Sequence, residues 1–136
     1  MNYEMNSFLN AIKDIISANT LINYAAKTMY EFFVAEDYPA LCLQPNSIFE
    51  TLRETLAFEY KDTLSASIFY VERAPENREM DTFIQKVEQI KDILKGNPQL
   101  NGTVNAGFSI NVIYHSNRID DNNEFVAEFQ IEGRNL

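Results

Sequence analysis

Residues 79–102 read Glu-Met-Asp-Thr-Phe-Ile-Gln-Lys-Val-Glu-Gln-Ile-Lys-Asp-Ile-Leu-Lys-Gly-Asn-Pro-Gln-Leu-Asn-Gly, and this stretch decides the fold. Met80, Phe83, Ile84, Val87, Ile90, Ile93 and Leu94 recur at three- and four-residue spacing, which places them on one face of a helix over residues 79–95. Glu76, Glu79 and Asp81 crowd its start and Lys86, Lys91 and Lys95 come later, both favourable to the helix dipole. Asn77 is expected to cap the first turn, Gly96 to take the left-handed position after the last, and Pro98 to prevent continuation.

Two alternating segments follow. Val104, Ala106, Phe108, Ile110, Val112 and Tyr114 share one face, with Thr103, Asn105, Gly107, Ser109 and Asn111 on the other. Phe125, Ala127, Phe129 and Ile131 then alternate with Glu128, Gln130 and Glu132. The pattern predicts two antiparallel strands, each with a dry face under a helix and a wet face in solvent. Residues 116–123 between them exceed the roughly 2–5 residues of a tight hairpin loop. Loops carry contacts, so Arg118, Ile119, Asp120 and Asp121 are candidate partner-binding residues.

Upstream, Met5, Phe8, Leu9, Ile12, Ile15 and Ile16 mark a first amphipathic helix that stops at Asn19-Thr20. Residues 21–36 fit helix or strand, and the aromatic and β-branched residues of Tyr30–Val34 favour a strand there. Tyr38–Leu43 reads as another strand, Pro39 belonging at its start or on an edge, and Gln44-Pro45-Asn46-Ser47 as a loop. Phe49–Tyr60 and Leu64–Val71 follow, with Lys61-Asp62-Thr63 as the turn; Phe49–Leu56 is alternatively a short helix. Leu64, Ala66, Ile68 and Tyr70 share a face, but Phe69 and Val71 make the opposite face partly apolar. A neighbouring subunit is the expected cover, so Phe69 and Val71 are also candidate contacts. The reading is a single α+β domain over residues 1–136, a mostly antiparallel sheet of five or six strands with two main helices packed on one face.

Composition narrows function. An apolar content of 46% supports a packed core. A net charge of −9 disfavours binding to a phosphate backbone, which requires clustered Lys and Arg. No leader and no membrane span are expected, which points to synthesis in a reducing cytoplasm. Cys42, the single cysteine, sits in an apolar run and reads as a buried, inert thiol. His115, the single histidine, ends a strand without the partners of a metal site. Asp120-Asp121-Asn122-Asn123-Glu124 lacks the ligand spacing of a calcium loop, and four glycines form no phosphate-cradling run. No cofactor, metal or catalytic residue is expected, and an enzyme is the least favoured class.

The order of elements resembles the tail terminator and tail completion proteins of long-tailed bacteriophages. An N-terminal helix precedes the segment carrying Tyr38-Pro39-Ala40-Leu41, and a strand pair ends near Phe69-Tyr70-Val71. A helix leads into Asn97-Pro98-Gln99-Leu100-Asn101-Gly102, and Phe125-Val126-Ala127-Glu128-Phe129-Gln130-Ile131 is the last strand. The likeness is closest over residues 80–132, where Gly96, Pro98, Leu100 and Gly102 shape a turn similar to one that recurs in this group. The resemblance implies a ring, commonly of six subunits, that caps the last tail-tube ring and presents a surface to neck or head-completion proteins. DNA passes through such a lumen without specific binding, and an acidic inner surface would limit sticking. It implies a place in the virion, at the tail and neck, after assembly in the host cytoplasm. A neck or head-tail connector protein of the same virion is the alternative reading. A small acidic cytoplasmic binding or inhibitor protein is the second.

Overall fold

The computed structural model describes residues 5–28, 35–51, 61–115 and 123–135. Helix α1 (Met5–Asn19) leads to a short strand β1 (Tyr24–Ala26), and a 3-10 turn at Ala35–Asp37 precedes β2 (Ala40–Thr51). Then come β3 (Lys61–Arg73), α2 (Asp81–Lys95), β4 (Phe108–Tyr114) and β5 (Glu124–Asn135). The five strands lie in the order β1-β2-β3-β5-β4. Every pairing is antiparallel except β1 with β2, which run parallel.

Both helices cover the same face of the sheet, as the amphipathic spacing requires. Phe8, Leu9, Ile12, Ile15 and Ile16 of α1 and Phe83, Val87, Ile90 and Leu94 of α2 are buried in one cluster with the sheet residues beneath them. Those sheet residues are Leu41 and Leu43 from β2, Leu64, Ala66, Ile68 and Tyr70 from β3, and Phe125, Ala127, Phe129 and Ile131 from β5. Register locks the rows together: Leu43 lies opposite Ile68, and Ile68 opposite Phe129. Phe83 carries α2 onto the sheet by stacking on Tyr70 (5.9 Å between centroids) and meeting Phe125 (5.3 Å) and the edge of Tyr114 (6.1 Å).

Several local expectations are corrected. Gln44-Pro45-Asn46-Ser47 is not a loop: β2 runs through it, Pro45 opposite Ala66 and Ser47 opposite Ser65, with Asn46 as the extra residue of a bulge. A bulge beside an outer position is where a residue without an N–H fits a strand. Lys61-Asp62-Thr63 is not a turn, because the same ladder continues to Lys61 opposite Thr51. Tyr30–Val34 and residues 52–60, with the alternative helix through Leu56, lie outside the described residues apart from Phe49–Thr51, which are strand.

The ends of α2 also differ from expectation. Met80, not Asn77, occupies the N-cap, with no side-chain cap bond. Asn77 Oδ1 instead accepts the Glu79 N–H at 3.2 Å, and Arg78, with φ of 55°, turns the chain between Asn77 and the helix. Gly96 is right-handed, φ −71°. The helix leaves by a tightened turn, Asn97 N–H to the Leu94 carbonyl at 3.0 Å, so no left-handed residue is needed there. The left-handed run comes later, at Leu100, Asn101 and Gly102 (φ 45°, 57° and 82°). Side-chain bonds brace it. Asn97 Oδ1 accepts the Asn101 N–H at 3.2 Å, and the Thr103 hydroxyl donates to the Leu100 carbonyl at 2.8 Å. Leu100 is fully buried, and that burial offsets its unfavourable backbone.

The segment after this turn closes against the end of β5. Asn135 Oδ1 accepts the Asn105 N–H at 2.7 Å, and Asn135 Nδ2 donates to the Thr103 carbonyl at 3.3 Å. Gly133 permits that approach. A Cβ there would lie 2.5 Å from Val104 Cγ1 and 2.8 Å from Phe8 Cε1. Gly133→Ala should therefore cost about 1–3 kcal/mol by overpacking, read as a lower urea midpoint at unchanged m-value.

Candidate functional site

Strand alternation sends Cys42, Ser67, Phe69, Val126 and Glu128 to the face away from the helices. That face was expected to be wet along β5. Instead Glu124, Val126 and Glu128 are all buried, as is Ser67. The correction has a physical cause: each carboxylate on this face meets donors, so covering it does not strand a charge.

Glu128 is the centre of a hydrogen-bonded network. Its Oε2 accepts the Ser67 hydroxyl at 2.8 Å and Gln130 Nε2 at 3.2 Å, and its Oε1 lies 2.8 Å from His115 Nε2. Asn46, the bulge residue, donates through Nδ2 to Ser67 Oγ at 2.8 Å, and Asn111 Nδ2 donates to Gln130 Oε1 at 3.1 Å. The His115 ring also packs against Phe69, 6.1 Å between centroids. Burial pushes the Glu128 pKa up, but the bonds from Ser67, His115 and Gln130 outweigh it, and the net shift is downward. At the upper end of the face, Tyr38 donates its hydroxyl to buried Glu124. Burial and that carboxylate raise the Tyr38 pKa well above its ordinary value.

The chemistry of this cluster is that of a charge held in place. Ser67 gives its proton to Glu128, not to His115, so no imidazole is positioned to activate the hydroxyl. A carboxylate with a lowered pKa is a weaker base than a free one. Cys42 is fully buried on the same face, and burial, with Glu124 nearby, pushes its thiol up to about 11, which keeps it protonated and unreactive. Among the described residues, no group of three or more His, Cys, Asp or Glu side chains is placed to hold a metal.

Of the candidate contacts, Val71 is fully buried in a small cluster with Ala40 and Val126, which leaves its side chain no surface to offer. Phe69 is half-buried on the same face. Within the chain, Tyr24, Tyr38 and Phe69 pack against the Val71 cluster, and His115 packs against Phe69, which keeps part of its ring exposed. Arg118, Ile119, Asp120 and Asp121 lie outside the described residues. The positions flanking them are tied: His115 N–H donates to the Val126 carbonyl at 2.9 Å, and Ala74 N–H to the Asn123 carbonyl at 2.9 Å. Gly96, Pro98, Leu100 and Gly102 are brought together in the turn after α2.

Sequence reading missed Asn46, Ser67 and Glu128 as a set. One signal was present, the apolar Phe69 and Val71 on the nominally wet face, which marks that face as covered. Open depressions among the described residues include one of about 510 Å³ where the C-terminal ends of the helices meet, lined by Asp14, Asp92 and Asn97, one of about 390 Å³ beside Arg73 and Thr82, and one of about 360 Å³ beside Asn46 and Asn111. No described helix is long and apolar enough to cross a membrane. No protein-family model matches the chain, and no curated protein matches it significantly.

The network sets a pH dependence. Because the folded pKa of Glu128 is lowered, its contribution to stability is complete above its ordinary value of 4.5 and is lost as the pH falls through the folded value. Thermal melts from neutral to strongly acidic pH should show the wild type losing more stability than Glu128→Gln below pH 4.5. Ser67→Ala should cost about 1 kcal/mol at neutral pH through one lost hydrogen bond, and should shrink that acid-limb difference.

Proposed function

We propose that this chain is a structural protein of a long-tailed bacteriophage virion, a subunit of a ring that caps the tail tube and joins it to neck or head-completion proteins. One observation carries the reading. Helix α2 runs into the Asn97-Pro98-Gln99-Leu100-Asn101-Gly102 turn, and the chain then returns as the β4–β5 strand pair, the order in which the likeness to tail terminator proteins is closest. Two properties support it. The chain has an α+β fold with a mostly antiparallel sheet and two helices on one face, as the likeness implies. Its net charge of −9 suits a surface past which DNA slides without sticking.

In this reading the protein is not an enzyme, and the Ser67–Glu128–His115 network is structural. Ring subunits meet head to tail, and such contacts give a finite assembly when the rotation closes. Six is the subunit number the likeness implies. In this reading Arg118, Ile119, Asp120 and Asp121 contact a neighbouring ring, and the described residues either side, His115 and Asn123, are hydrogen-bonded to β5 and to Ala74 after β3.

The test is direct. Light scattering and negative-stain imaging of the protein mixed with purified tail tubes should find closed rings at the tube ends. Failure to cap the tubes, with no rings in solution, overturns the proposal. Charge reversal at Arg118, Asp120 and Asp121 together should reduce joining of tails to heads at least tenfold while leaving the melting temperature unchanged. Unchanged joining removes that segment from the docking surface.

A further inference from the structure

The two edges of the sheet are finished differently. On one side β1 covers Ala40–Cys42, and beyond it Pro45 and the Asn46 bulge interrupt the outer rim of β2. These are ordinary defences against strand addition. On the other side β4, Phe-Ser-Ile-Asn-Val-Ile-Tyr over residues 108–114, has none of them. It carries no charge, no proline and no bulge, and among the described residues no strand lies beyond it.

The direction of its free groups follows from its pairing with β5. His115 N–H donates to the Val126 carbonyl at 2.9 Å, and Arg134 N–H donates to the Gly107 carbonyl at 3.0 Å, so odd-numbered residues turn their amide groups toward β5. By antiparallel alternation, Phe108, Ile110, Val112 and Tyr114 turn theirs outward. The helices leave this edge incompletely covered: Phe108, Ile110 and Val112 are half-buried, and Tyr114 and Ile84 are 41% and 37% exposed. An apolar row and a row of amide groups that no described strand pairs therefore run side by side along β4.

We infer that β4 is a pairing surface for a second copy of the same strand, joined antiparallel about a two-fold axis at Asn111. The strand is complementary to itself. With Asn111 opposite Asn111, Ile110 faces Val112 and Phe108 faces Tyr114, so the outward amide groups match those of the partner copy. The apolar row meets an apolar row, and no like charges oppose each other because the strand has none. A rim that would otherwise invite indiscriminate pairing is closed by one defined partner, giving a continuous sheet through two copies. This contact is isologous, so it is distinct from the head-to-tail contacts of a ring and does not rest on that reading.

The register gives the test. At Asn111 the two strands form a non-hydrogen-bonded pair, with Cα atoms about 4.5 Å apart, within the span of a disulfide. Asn111→Cys in the full chain should form a disulfide-linked pair on mild oxidation, and the buried native Cys42 should not compete. Ser109→Cys, equally exposed but opposite Ile113 in this register, should not cross-link. Light scattering of the wild type at micromolar concentration should give about 31 kDa, twice the 15.7 kDa chain. Asn111→Lys, which sets two ammonium groups against each other across the axis, should give a folded monomer, with the circular dichroism spectrum of the wild type and a mass near 15.7 kDa. A wild-type monomer overturns the inference, as does cross-linking through Ser109→Cys equal to that through Asn111→Cys. Wild-type rings in which Asn111→Cys stays unlinked overturn it while leaving the tail-cap reading standing.

Discussion

The long antiparallel register between β3 and β5, from Asp62 opposite Asn135 to Arg73 opposite Glu124, is the constraint on which the structure depends. A shift of one residue would put Ile68 and Phe129 on opposite faces of the sheet and bring either Ser67 or Glu128 under the helices. Both consequences are prohibitive, because the helices offer Phe83, Val87 and Ile12 and no donor for a carboxylate. The register therefore fixes two things at once, a dry core on one side and a satisfied polar cluster on the other.

The two faces of the sheet are closed by different means. On the helix side the energy comes from apolar area, and large side chains such as Phe129, Ile68 and Leu43 are fully buried. On the far side the cover is partial and polar, and every carboxylate taken out of water has a donor in reach. The bulge at Asn46 links the two problems. It lets β2 pass a proline and aims an amide at Ser67, which then holds Glu128. β4 is the remaining margin: its Tyr114 meets Phe83 of α2, and Phe108, Ile110 and Val112 pack only partly buried against the core.

The helices, β5 and the Phe108–Tyr114 part of β4 were legible because their patterns are long and periodic, whereas Thr103–Gly107, expected in the same strand, form the irregular segment before it. Met80 to Leu94 repeats at helical spacing for four turns, and Phe125, Ala127, Phe129 and Ile131 alternate with more polar positions except at Val126. Helix ends were less legible. Asn77 is a good capping residue by type, but the left-handed backbone of Arg78 turns the chain away before the helix starts. Gln44–Ser47 has loop composition, yet the ladder with β3 runs through it, because pairing on both sides of a bulge outweighs the local preference for a turn.

By itself the sequence determined the class of the fold, the two helix faces, the helix-facing rows of β3 and β5, and the net charge of −9. These are properties of spacing and charge, which short stretches of chain carry alone. Tertiary structure alone decided that β1 pairs parallel to β2, that Asn46, Ser67, Glu128 and His115 form one network, and that Val71 is closed inside the chain. The reason is distance along the chain: Ser67 and Glu128 are 61 residues apart, and no local pattern specifies which strand will lie beside which.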